Sequence, residues 1–362
     1  MNVSAERIRR QISNVLLAWG MPEDLVATTA EIMVETDLMG VDSHGISMLM
    51  TYEDLRTKGG LKLDARPRVL RDAPGTALID GGDGLGHPVT VMATDLAVDK
   101  ALRNGVGVVG VRNSHHFGAA GVYARRGVAR GAVVMLASST RGVNMVPTRG
   151  RMPVLGTNPL AFAAPTKRNA PFVLDMATTT VAANKVKVYD LNEKPIPPGW
   201  VVDAAGQPVT DSREGFDVVY NQPAGGLTPL GGTPESGSHK GYGLATMVHI
   251  LGGVLVGASF SPLRKRTEKP GDPNNIGHFV MALDPALFRE PGEFEDDLDA
   301  VIDELHATPP ADPAKPVLVA GEPEDATRAR RLAEGVPVPP SLQKKLRDIC
   351  ARCGAEYVLA EG

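Results

Sequence analysis

Histidine is the side chain whose ordinary pKa lies closest to neutrality, so its surroundings are where proton chemistry is sought first. The chain has 8 histidines. His44 lies in Asp42-Ser43-His44-Gly45, where the Ser43 hydroxyl can orient the ring or bond a substrate oxygen. The same residues serve equally as a helix cap with a surface histidine beside it. His116 lies in Asn113-Ser114-His115-His116-Phe117-Gly118, between a strand-like run and a helical pattern. That order puts polar, proton-active groups at the C-terminal end of a strand, where ligands bind in open sheets. Adjacent histidines point in different directions, so one of the pair at most faces a given site.

Other segments offer binding rather than proton transfer. Gly156-Thr157-Asn158-Pro159 supplies amide and backbone groups in a tight turn, a pattern that purely structural turns share. Asp175 ends the apolar run Pro171 to Leu174 and can cap a helix, orient a histidine or hold a cofactor hydroxyl. Lys240, in Ser238-His239-Lys240-Gly241-Tyr242-Gly243 before an apolar run, suits an anion at a helix start. His278, in Asn274-Asn275-Ile276-Gly277-His278, reads as structural. No metal is expected, because no His or carboxylate pair has the i, i+4 spacing of a zinc site and no Asp/Asn ladder resembles a calcium loop.

These groups need a scaffold. Ser4 caps a helical pattern of Ile8, Ile12, Val15 and Leu16, and further patterns from Leu25 and Ile46 follow, so the chain opens as a helical unit. From Ala77 short β-like runs alternate with helical ones, predicting a sheet with helices packed on it. Residues 191 to 239, rich in Pro, Gly, Asp and Ser, read as long loops. Leu244 to Phe260 reads as a buried helix, and the C-terminal part returns to helical patterns. The predicted fold is mixed α/β (α+β) in three stretches: a helical part at 1–75, a mixed-sheet cofactor-binding domain at 76–285, and a helical part at 286–362 packing back on the first.

Gly105-Val106-Gly107-Val108-Val109-Gly110 matches the dinucleotide-binding glycine spacing letter for letter. A phosphate-cradling loop needs a strand before the glycines and a helix after them. Here a helical pattern ends at Asn104 and the glycines then alternate with valines as a strand. A Rossmann site is therefore not expected.

Composition narrows the partners. The 362 residues carry a formal charge of −4, with no run of Lys and Arg long enough to track a phosphate backbone, so nucleic acid is not an expected partner. The Leu244 to Phe260 run falls short of the roughly 20 apolar residues of a bilayer span, and Met1 to Arg10 lacks the apolar core of a secretory leader. Cytoplasm is the expected location. Cys350 and Cys353 match a redox spacing, but they follow a helical pattern rather than a strand and read as ordinary thiols.

Taken in order, Ser43-His44-Gly45, Asn113 to Gly118, Gly156-Thr157-Asn158-Pro159-Leu160-Ala161-Phe162-Ala163, Asp175-Met176-Ala177-Thr178-Thr179 and Lys240-Gly241-Tyr242-Gly243-Leu244 resemble the malate/L-lactate dehydrogenase family of non-Rossmann type. That family includes ureidoglycolate dehydrogenase, sulfolactate dehydrogenase, diketogulonate reductase and Δ1-piperideine-2-carboxylate reductase. The resemblance implies a homodimer that moves a hydride between NAD or NADP and the C2 carbon of a small 2-oxo or 2-hydroxy acid, or an imine. It implies His116 as acid/base, as in ureidoglycolate dehydrogenase, or His44 as proton donor, as in the reductases, with Ser43 and Asp175 as its relay partners. Thr140, Asp175, Met176, Ala177, Lys240, Gly241, Gly321, Glu322 and Pro323 match cofactor-contacting positions; Ser43, Met48, Asn113, Thr157 and Asn158 are expected at the substrate. One departure stands out: relatives often carry Arg four residues after the His44 equivalent, where it can grip a carboxylate, and this chain has Met48. Arg141 or Lys240 would then have to hold the acid group. The rival reading is a catalytically silent paralogue that binds nucleotide or a small acid.

Overall fold

The computed structural model of the chain describes residues 1–269 and 271–360. The first third holds β1 (Asn2–Val3), α1 (Ala5–Ala18), α2 (Glu23–Leu38), α3 (Leu49–Thr57), β2 (Arg68–Asp72), β3 (Thr76–Gly84), α4 (Gly86–Asn104), β4 (Val106–Ser114) and α5 (Ala120–Val128). There follow β5 (Val133–Ser138), β6 (Leu160–Ala164), β7 (Phe172–Met176), α6 (Ala183–Leu191), β8 (Val201–Val202), α7 (Ser212–Tyr220), β9 (Gly226–Leu227) and α8 (Ser238–His249). The chain closes with α9 (Ser261–Arg264), β10 (Ile276–Leu283), α10 (Glu293–Ala307), α11 (Glu322–Glu334), β11 (Val336–Pro337) and α12 (Pro340–Cys353).

The Ser4 hydroxyl accepts the Arg7 N–H at 3.3 Å and starts α1, whose Ile8, Ile12, Val15 and Leu16 all turn inward. Those side chains join Met33 of α2, Tyr52 of α3 and Leu346 and Ile349 of α12 in one buried cluster that draws on both chain ends. β1 pairs with β11 through Val3 and Val336 beside it.

The central sheet has seven strands in the order β2-β3-β4-β10-β5-β6-β7. β3 and β4 run parallel across the α4 crossover, and the other neighbours are antiparallel. α4 and α5 cover one face, and α8 with the wider π-type turn after it covers part of the other. The misleading glycines take the expected places. Gly105 ends α4 at φ +90°, and Gly107 lies in β4 where a Cβ would come within 1.9 Å of the Ala97 carbonyl of α4. They serve helix–sheet packing, not a phosphate.

Two stretches differ from the sequence reading. Residues 191–239 are not all loop: Val186, Ile196, Val201, Val209, Val218 and Leu227 form a small core of their own under α6 and α7. Asp211 caps α7 by accepting the Glu214 N–H at 2.8 Å, so Asp211-Ser212-Arg213-Glu214 carried the start signal of a helix among the glycines and prolines. The apolar run after Leu244 buries only one face; Ile250, Val254 and Leu255 are more than half exposed. Among the described residues no helix is long and apolar enough to cross a membrane.

Candidate active site

The turn that follows α2 and the turn that follows β4 meet. Their rings, His44 and His116, stand 5.2 Å apart between centroids and tilted by 32°. Ser43 Oγ lies 2.7 Å from His44 Nδ1, so the serine fixes the histidine next to it. His116 is fixed from below by Tyr52 of α3, whose hydroxyl is 2.8 Å from His116 Nδ1. The Gly118 N–H also points at that nitrogen, at 3.4 Å. A backbone N–H can only donate, so Nδ1 is the acceptor and the proton of the neutral ring sits on Nε2. Burial holds His116 well below the usual histidine range, with the neighbouring rings of His44, His87, His278 and His115 adding to it. Burial also lowers His44. Both rings are neutral at neutral pH.

The other histidines around them are structural. His115 Nδ1 takes the Asn274 amide at 2.9 Å, and burial pushes the ring down to about 4. His278 is held between Ser138 Oγ at 2.8 Å and Ser114 Oγ at 2.9 Å, fully buried and pushed down to about 3, in keeping with its reading from the sequence. His87 stands edge-on to Tyr52 with centroids 5.8 Å apart, and burial again lowers it to about 3.

The segment 116–121 carries the site from the histidines to Asp175. The Gly121 N–H, at the start of α5, donates to Asp175 Oδ2 at 2.7 Å. Gly121 lets the chain come close, since a Cβ there would stand 3.0 Å from the Asp175 side chain. Asp175 is exposed at the surface, yet protein groups crowd its carboxyl. Crowding raises it to about 6, against the pull of the Gly121 N–H and with a contribution from Glu324. Ser43 lies within hydrogen-bond reach of His44; Asp175 does not, its partner being Gly121.

The segment at 321–323 docks beside Asp175: the Val173 N–H donates to Ala320 O at 2.9 Å, and Arg125 donates to Gly321 O at 3.2 Å. Glu322 is occupied by His306 at 2.7 Å and by the Val319 N–H at 2.8 Å. A second group lies at the other end of β7. Thr140 Oγ1 donates to Asn158 Oδ1 at 3.0 Å, Asn158 Nδ2 donates to Ala245 O at 2.9 Å, and the Thr157 carbonyl receives the Thr178 N–H at 2.8 Å. Thr178 O in turn accepts the Leu230 N–H at 2.9 Å, and Gly241 lies flush against Leu230, with a Cβ placed 2.3 Å from the Leu230 carbonyl. Lys240 is exposed at the start of α8. Met176 and Ala177 join the two groups. An open carboxylate, an exposed lysine at a helix start and glycine-lined backbone form a set that fits the hydroxyl and phosphate groups of a dinucleotide.

Met48 is half buried against the helical core one turn past His44. Asn113, at φ +51°, donates from its side-chain amide to Asp80 Oδ1 at 3.2 Å and from its backbone N–H to Asn275 Oδ1 at 2.8 Å, which fixes the strand end. Tyr52 was not singled out from the sequence, although His44, Met48 and Tyr52 recur at intervals of four, which one helical face would produce. A cleft of about 820 Å³ between α2, α4, α5 and α11 lies apart from the histidines, and its arginines are already paired: Arg125 with Asp325, Arg126 with Asp95, Arg130 with Asp99 and Arg328 with Glu35. Cys350 is buried on α12, 3.2 Å from the Gln11 amide, and takes no part.

The sequence profile of malate/L-lactate dehydrogenase matches residues 3–347. A malate dehydrogenase of Pyrococcus horikoshii is 38% identical over 98% of this chain and 96% of its own. An L-sulfolactate dehydrogenase of Methanothermobacter thermautotrophicus is 34% identical over 96% of each. The crystal structure of a malate dehydrogenase from Entamoeba histolytica superposes with a TM-score of 0.92 at 30% identity, covering 98% of this chain and 99% of that one. With a seven-stranded mixed sheet in place of a Rossmann unit and two histidines paired where the turn after α2 meets the end of β4, the chain belongs to the malate/L-lactate dehydrogenase family.

Proposed function

We propose that the chain interconverts a small 2-hydroxy acid and its 2-oxo acid with a nicotinamide cofactor, the His44–His116 pair managing the substrate oxygen. The observation that carries this is the 5.2 Å pairing of two neutral rings whose inner nitrogens are already engaged. The cofactor, when bound, supplies or accepts the hydride at C2. The two histidines divide the rest of the work. His116, with its proton pinned on Nε2, donates a hydrogen bond to the substrate oxygen and orients it. His44, tied only to a serine hydroxyl that can donate or accept, gains and loses the proton. In the oxidative direction the hydroxyl proton passes to His44 as the hydride leaves; in reduction His44 returns it.

Asp175 would accept from a cofactor hydroxyl, Lys240 would meet a phosphate, and Thr140 with Gly321 would flank the cofactor. Arg141 is the substrate-carboxylate partner in this reading. It follows Thr140, is exposed without an ion-pair partner among the described residues, and its charge bears on His115 next to the acid–base pair. The protein would act as a homodimer, the outward apolar residues Ile250, Val254 and Leu255 providing the kind of surface a second copy covers. Nothing in the site favours the catalytically silent reading.

The test is turnover of His44→Ala and His116→Ala with oxaloacetate, pyruvate and related 2-oxo acids, alongside fluorescence titration with NADH and NADPH. Both variants should bind cofactor like the wild type and lose about 10²- to 10⁴-fold in kcat, the range of a positioned proton-transfer group. Wild-type turnover in both would end the assignment.

A further inference from the structure

His44 sits in a turn whose two ends are gripped by a buried aspartic acid and an arginine that play no part in the chemistry described so far. Asp37, on the last turn of α2, is 1% exposed, and its Oδ2 accepts the Ile46 N–H at 2.8 Å. Its carboxylate fills the space beside Gly45 so closely that a Cβ there would lie 1.9 Å from Oδ1. This is a docking of backbone onto a buried carboxyl, possible only with glycine at that position. Arg331, reaching across from α11 with a side chain 9% exposed, holds the other end. Its Nη1 donates to the Asp37 carbonyl at 2.5 Å and to Asp42 Oδ1, and its Nη2 donates to Asp42 Oδ2 at 3.1 Å. The residues between these two grips are Ser43 and His44. Within the turn the His44 N–H donates to Val41 O and the Met48 N–H to Gly45 O, both at 2.9 Å.

A catalytic ring must be held to within a few tenths of an ångström, and a displacement of about 1 Å can cost about 100-fold in rate. The bond between Ser43 and His44 cannot supply that precision, since both residues ride on the same turn. Among the described residues, the side-chain hydrogen bonds that reach this turn from outside it come from Asp37 and Arg331, beside the burial of Ile46 in the helical core. We propose that Asp37 and Arg331 are positioning residues that set the distance between His44 and His116. The inference rests on the reading of His44 as the proton carrier.

It is tested by double-mutant kinetics on the full chain. Asp37→Ala should lower kcat about 10- to 100-fold with the NADH dissociation constant unchanged within about twofold. Asp37→Asn, which keeps an acceptor for the Ile46 N–H, should recover most of the loss. In a His44→Ala background Asp37→Ala should cost less than about twofold, because its effect passes through the missing ring. Equal losses in both backgrounds would overturn the proposal. Should Asp37→Ala fail to fold, Arg331→Lys replaces it: a lysine keeps the charge but cannot reach both the Asp37 carbonyl and the Asp42 carboxylate. It should show the same kcat loss, again absent without His44. If His44→Ala alone keeps wild-type turnover, the acid–base reading is what has failed. The brace is then judged by the crystal structure of Asp37→Ala, where an unmoved His44 ring at 5.2 Å from His116 rejects it.

Discussion

Tyr52→Phe isolates one bond of the site. The ring stays in its fully buried slot, edge-on to His87 and packed in the helical core, and only the hydroxyl 2.8 Å from His116 Nδ1 is lost. What remains at that nitrogen is the longer and weaker Gly118 N–H contact at 3.4 Å. A buried hydrogen bond of this kind contributes about 0.5–1.5 kcal/mol net. If the bond acts by keeping the Nε2–H aimed at the substrate oxygen, that energy appears in the barrier, and at about 1.4 kcal/mol per tenfold it corresponds to about a 2- to 12-fold fall in kcat. Steady-state kinetics at saturating cofactor measure it, with thermal unfolding alongside to register a loss of similar size in stability. NADH affinity should not move, because Tyr52 lies on the helical side of His116, away from Asp175. An unchanged kcat would show that Gly118 alone fixes the tautomer. A loss beyond about 100-fold would make Tyr52 a participant in proton transfer rather than a support for it.

The crowding around Asp175 raises its carboxyl to about 6. If its ionised form accepts from a cofactor hydroxyl, NADH affinity should rise as pH climbs through about 6 and level off above. Asp175→Asn should flatten that rise, and a slope surviving in the variant would assign it elsewhere. The same raised carboxyl makes folding less favourable as pH rises from the ordinary aspartate value toward 6, so the melting temperature of Asp175→Asn should gain on that of the wild type over that interval and not below it. Arg141→Ala should raise KM for a 2-oxo acid about tenfold or more with kcat little changed, the mark of a lost carboxylate contact; Met48→Arg should partly restore it, and a KM untouched by either change would remove Arg141 from the substrate. Leu255→Asp, placed among residues more than half exposed, should convert a dimer to monomer in sedimentation velocity, whereas an unchanged sedimentation coefficient would place the contact between copies on another face.

The fold was legible where a local signal and a tertiary demand agree. Ser4 and the Ile8, Ile12, Val15 spacing gave α1 because one face of that helix has a core to bury. The order helix, Gly105, strand excluded a Rossmann unit because a phosphate loop needs the reverse order. The β10 insertion between β4 and β5 could not be read, since no property of residues 276–283 names a partner strand more than a hundred residues away. The α6–α7 unit was missed for a different reason: its core residues are isolated valines and isoleucines among prolines and glycines, too sparse to form a period.

The site divides the same way. His44, His116 and Asp175 announce themselves because each sits in a short polar motif at the end of an apolar run, and a motif is local. What holds them is not. Tyr52 reads from the sequence as one more aromatic on an amphipathic helix, Asp37 as a polar residue near a helix end, and Arg331 as one of three arginines in Arg328-Ala329-Arg330-Arg331 on a charged helix. Each acquires a role only when the chain ends pack together and bring α11 and α3 against the turn after α2. Asp37 carries the clearest trace of that role. Burial lifts its carboxyl to about 8, with Asp42 adding to the rise and the Ile46 N–H and Arg331 opposing it. An apolar side chain in that space would avoid the cost of burying a carboxyl but would orphan the buried Ile46 N–H and release the backbone just after the histidine. The penalty is explained if what the carboxyl secures is the place of a ring.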